Sequence, residues 1–218
     1  MSRRLKIVLI LTILASVATG LYKKQSYTNI TAETNFMDYF TVAQLDTEMI
    51  SDNFGEILRG ELSNSNIIIR ARATGNTTHH YRLNEQYVEI LEIYRGDNHL
   101  GIGDVVGVIS GGWLFFYDDM SANMGFVNFM EEDGEYLIFL EGKVDTLDPL
   151  DNVYAVVDSI ISPVFNYENK DNIIAETEGE MNYVPFSEVK QNEFFVNSNE
   201  VLEMLMSLKQ DLLVKFPQ

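Results

Sequence analysis

The stretch "QYVEILEIYRGDNHLGIGDVVGVISGG" (Gln86–Gly112) decides the fold. Its first half alternates. Tyr87, Leu91 and Ile93 share one face with Glu89, while Val88, Ile90 and Tyr94 share the other. That period of two is the mark of a strand. "DVVGVIS" (104–110) reads as the next strand, and Gly96-Asp97-Asn98 and then Gly101 and Gly103 let the chain reverse between them. Gly107, inside the second strand, predicts a bulge or a tight corner in a curled sheet.

The same rhythm extends on both sides. "SNIIIRARATG" (65–75) alternates Ile67, Ile69, Ala71 and Ala73 against Ile68, Arg70, Arg72 and Thr74; "NTTHHYRLN" (76–84) reads as a polar connection. "YLIFLEG" (136–142) has the composition of a buried strand, and "VYAVVDSIISPVFNY" (153–167) is a strand region broken at Pro163. The expectation is that 65–75, 86–95, 104–110, 136–141 and 153–161 form one curled antiparallel sheet. Val42, Leu45 and Met49 have helical spacing within 36–58, which predicts a short helix there. The C-terminus is the clearest helix, about 198–216, capped by Asn197 or Ser198 with Glu200 in its first turn. Val201, Leu205, Leu208 and Leu212 make its apolar stripe, widened by Leu202, Met206 and Leu213.

At the N-terminus a basic start (Arg3, Arg4, Lys6) precedes an apolar run from Ile7 to Tyr22, with Lys23 and Lys24 beyond it. This is the pattern of an export signal or a membrane anchor at residues 1–24, crossing through residues 7–22 if it is retained. Small residues permit cleavage after Ala18 or Gly20; the two lysines favour retention. Residues 25–35 read as a polar tether and 36–218 as one globular domain, its sheet core at about 65–167. The body is then extracytoplasmic, either anchored or secreted.

The chain carries a net charge of -18. Five of the 15 basic residues lie in the first 24 positions, which hold no acid, so the remainder carries a net charge of -23. Arg70, Arg72 and Arg82 are its nearest approach to a basic stripe, so nucleic acid is not expected as a ligand. Without cysteine the chain has no disulfide, thiol chemistry or zinc–thiolate site.

At "YVEILEIYRGDNHLGIGDVVGV" and "GEYLIFLEG" the chain resembles the OB-fold barrels of the netrin-like and tissue-inhibitor-of-metalloproteinase superfamily, as they occur in small exported proteins of Gram-positive bacteria. The shared features are a strand ending in Tyr-Arg-Gly, a Gly-Asp before the next strand, and a later Tyr-Leu-Ile-Phe-Leu strand after acidic turn residues. The resemblance covers about 65–160. It implies a mainly β, OB-like barrel in an exported Gram-positive protein. In the animal inhibitors an N-terminal cysteine engages the protease metal; this chain has no equivalent, so that mechanism does not transfer.

The chemistry-bearing residues suggest a binding module more than an enzyme. His79 and His80 are adjacent, which on a strand sends them to opposite faces, and His99 lies in a turn. A Ser-His-Asp triad is formally available, but no Gly-x-Ser-x-Gly elbow is present. "GGWLFFYDDM" (111–120) holds the only Trp. It reads either as a buried strand or as part of a 111–134 loop presenting Trp113, Phe115, Phe116 and Tyr117 to a partner; the second reading makes it the interaction surface. Asp118, Asp119, Glu131 and Asp133 are candidate calcium ligands if that loop folds back on itself; no other cofactor is suggested. The expected function is a non-catalytic cell-surface module for a protein or envelope component, with a secreted inhibitor or envelope hydrolase as the alternative.

Overall fold

The computed structural model describes residues 3–26, 36–51, 53–80, 82–96, 99–148, 151–175 and 182–218. It separates into two units, residues 1–36 and 37–218. The first contains helix α1 (Arg3–Ser26), within which Leu5–Lys23 is long and apolar enough to cross a membrane. Nineteen residues rise about 28 Å, close to the ~30 Å hydrocarbon core. The helix therefore extends past the Ile7–Tyr22 run at both ends. Most of the expected tether, from residue 27 to 35, lies outside the described residues.

The second unit is mainly β, with a C-terminal helix. Its strands are β1 (Thr41–Ala43), β2 (Ile67–His80), β3 (Leu83–Arg95), β4 (Val105–Phe116), β5 (Ser121–Met124), β6 (Glu135–Lys143), β7 (Val153–Val156), β8 (Val164–Asn166) and β9 (Tyr183–Pro185). Helix α2 (Phe54–Ser63) precedes β2; a single turn, α3 (Phe186–Val189), and α4 (Asn199–Lys215) follow β9. The five segments expected as strands all fall in one sheet. β2 pairs with β3 and β6, β6 with β7, β7 with β4, and β4 again with β3, so the ladder returns to its starting strand.

Several expectations need correction. The sheet is mixed: β4–β7 and β1–β5 are parallel. The expected connection at 76–84 is mostly strand, since β2 runs to His80 and pairs with β3 as far as His80↔Leu83. Side-chain bonds from His79 to Asn84 (2.5 Å) and from His80 to Glu85 (2.8 Å) hold that polar hairpin together. The strand expected over 153–161 stops at Val156, and the chain resumes pairing at β8, after Pro163. Val42 lies in β1 and Leu45 in an isolated bridge to Val196; the helix comes later, as α2. Long-range pairing thus outweighs the local helical spacing. Asp97 and Asn98 of the expected turn lie outside the described residues.

Alternation sorts β2 as read: Ile68 packs with Leu137, Phe139 and Phe165 against Leu58 and Leu62 of α2 and Val201, Leu205, Leu208 and Leu212 of α4. The opposite face, with Ile67, Ile69, Ala71 and Ala73, is buried toward the interior of the strand circuit. There Gln86 clamps the chain before β6: its amide donates to the Met130 carbonyl and its oxygen accepts from the Met130 N–H, both at 3.0 Å. Ser198 caps α4, its hydroxyl accepting from the Val201 N–H.

Candidate functional site

Residues 111–116 are the second half of β4, which turns at 117–120 and pairs back with β5. Trp113 and Phe115 are fully buried. Trp113 meets Phe129 edge-on at 5.7 Å, and Phe115 contacts Phe40 at 5.5 Å and Phe129 at 6.0 Å. Their presentation to a partner is therefore corrected: Trp113 and Phe115 lie on the covered face of β4 and serve packing. Phe116 and Tyr117 are half-buried, Phe116 under the Arg82 guanidinium and Tyr117 stacked on Phe115.

Two of the four carboxylates considered for calcium, Asp119 and Glu131, have local partners. Asp118 and Asp119 sit in the β4–β5 turn, where Asp119 accepts from the Ser121 N–H and hydroxyl. Glu131 pairs with Lys170 at 2.6 Å, and Asp133 takes a positive φ of 64° in the turn before β6. Among the described residues no three His, Asp or Glu side chains are grouped to hold a metal ion.

A different site emerges on the outer side of β3 and β4. A groove of about 250 Å³ runs between the β2–β3 tip and the β6–β7 loop. Leu83, Glu85 and Tyr87 come from β3, Ile109 from β4, Thr146 and Asp151 from the loop, Val153 from β7, and His80 closes the tip. Glu85 is only 5% exposed, an unusual condition for a carboxylate. Gly107 makes this burial feasible. It lies opposite Tyr87 on β4, and a Cβ there would come within 2.2 Å of the Glu85 carboxylate. The expected bulge residue is thus a gap filled by a side chain from the neighbouring strand.

Thr78 donates to the Tyr87 hydroxyl at 3.3 Å, which lowers its pKa; partial burial, a hydrogen bond to the Glu85 carboxylate and the negative charges of Glu85 and Asp151 outweigh this and hold it above the ordinary phenol range. Tyr87 is therefore a protonated hydroxyl at neutral pH. Asp145 and Asp148 line the adjoining part of the loop, with Lys143 as the opposing charge. The arrangement is a small concavity with apolar sides, a carboxylate floor and an acidic rim. It can hold a ligand by charge and hydrogen bonding. By contrast, the cleft beside Glu193 and Tyr136 has room for about 10 Å³, roughly one water.

Sequence reasoning did not find this groove because its residues come from three separate stretches, 80–87, 109 and 144–153. The available signal was Glu85, an acid two residues from Tyr87 on the same strand face, with an in-strand glycine opposite Tyr87. No protein-family model matches the chain, and no curated protein matches it.

Proposed function

We propose that this protein is an extracytoplasmic cell-surface binding module, without catalytic activity, built on an OB-type barrel and taking its ligand in the Glu85 groove. The observation that carries the reading is the strand circuit β2–β3–β4–β7–β6 with its parallel β4–β7 pair. In OB-type barrels the second and third strands and the loops beside them carry the ligand face. The corresponding parts here are β3, β4, the β2–β3 tip and the β6–β7 loop, and the groove lies among them. The apolar α1 and its flanking positive charges support export or anchoring. The acidic surroundings argue against nucleic acid as the ligand. Calcium remains an expectation tied to Asp118, Asp119, Glu131 and Asp133, with no geometry in its favour.

A photo-cross-linking residue at Leu83 in the groove, compared with one at exposed Glu203 on α4, tests the reading in cells. The expected result is an adduct with an envelope component from position 83 alone. Equal adducts from both positions, or none from position 83, would overturn it.

A further inference from the structure

We infer that the groove receives one cationic side chain, a lysine or arginine, carried on a basic peptide segment. This rests on the groove being the binding face.

The charge is mainly negative, with Lys143 beside the loop outnumbered by the acids around it. Glu85 forms the floor, Asp151 stands on the rim, and Asp145 and Asp148 extend the acidic surface along the loop. One Glu85 oxygen is held by His80 at 2.8 Å. The carboxylate lies over Gly107, where no side chain intervenes. Removing a carboxylate from water costs stability unless something compensates it; the Tyr87 hydroxyl also hydrogen-bonds to it, but neither that neutral donor nor a half-exposed imidazole is a fixed positive charge. A cation seated on Glu85 supplies the missing countercharge.

The walls choose among cations. Leu83, Ile109 and Val153 offer apolar surface beside the floor. A bare metal ion has no use for such walls and would need several more oxygens. The methylene stem of lysine or arginine packs against apolar side chains while its head reaches a charge. Size is consistent: about 250 Å³ falls just under the usual ~300–1,000 Å³ of small-molecule sites, which suits one long side chain. The surrounding acids then face the backbone and neighbouring basic residues of the same segment. A free amine would leave them unused.

The test uses the full chain in detergent micelles and isothermal titration with four probes: a short lysine-containing peptide, the same peptide acetylated on the lysine nitrogen, free lysine amide, and a neutral trisaccharide. The lysine peptide is expected to bind, to weaken with added salt, and to bind more tightly than lysine amide. Acetylation, Glu85→Gln and Asp151→Asn should each weaken it, the first two about tenfold or more, while Glu203→Gln leaves it unchanged. Asp151 is exposed, so its variant keeps the test open if Glu85→Gln unfolds. Equal binding of the acetylated peptide, or binding insensitive to both groove variants, would overturn the inference. Tighter binding of lysine amide than of the peptide would overturn the peptide source. Trisaccharide binding that is lost on Leu83→Asp would refute the cation and keep the groove. If no probe responds to any groove substitution, both readings fail.

Discussion

Among the described residues two carboxylates are almost fully removed from water, Glu85 and Glu193, and their surroundings differ. Glu193 is saturated from within: Lys209, itself 1% exposed, donates to it at 2.5 Å and to the Glu168 carbonyl at 2.8 Å, and the Asn166 N–H donates to its other oxygen at 2.9 Å. This pair joins α4 to β8 and is structural. Glu85 instead faces an open groove. Burial raises the Glu193 pKa, and the Lys209 charge works against that rise. A raised folded-state value means that proton binding favours the folded state at low pH, and this contribution is lost as pH climbs through that value. Lys209→Met removes the opposing charge and leaves a buried carboxylate alone, a change that costs about 3–5 kcal/mol. The variant's deficit, measured by denaturant unfolding, should be larger at neutral pH and shrink as the pH falls and the lone carboxylate takes up its proton. A deficit independent of pH would show that the pair does not carry the loss.

Helix α4 was the most legible element, because its boundary and its buried face are written locally. Ser198 is the cap, and Val201, Leu205, Leu208 and Leu212 are all at most 1% exposed. Its far end is held by less visible means: the Tyr94 hydroxyl donates to the Pro217 carbonyl and the Tyr167 hydroxyl to that of Phe216. Leu205→Ala should cost about 2–5 kcal/mol, read as a clear drop in melting temperature; a negligible change would mean that the stripe does not carry the packing. The central parts of β3, β4 and β6 were equally legible, since alternation and glycine placement agree there. The polar end of β2 was not, because its stability comes from cross-strand partners such as Asn84 and Glu85 rather than from its own composition. The aromatic half of β4 was ambiguous for the opposite reason. An apolar run is equally consistent with a covered strand and with an exposed patch, and only the presence of Phe40 and Phe129 above it decides.

At the scale of the molecule, the chain divides into an apolar helix that is long enough to span a bilayer and an acidic body with its own core. The sequence made that division plain through its charge asymmetry. It did not disclose the groove, which exists only because the circuit of strands brings the β2–β3 tip and the β6–β7 loop to the same side of β3 and β4. The central claim is that this groove is open on a body outside the cytoplasm. The absence of cysteine makes one measurement direct. Thr146→Cys places a single thiol in the groove, and Ala122→Cys places one in buried β5 as a control. A membrane-impermeant maleimide applied to intact cells or protoplasts should label position 146 as fully as it does after lysis, and position 122 only after unfolding. Labelling of position 146 that requires lysis, or that requires unfolding as at position 122, would contradict the account.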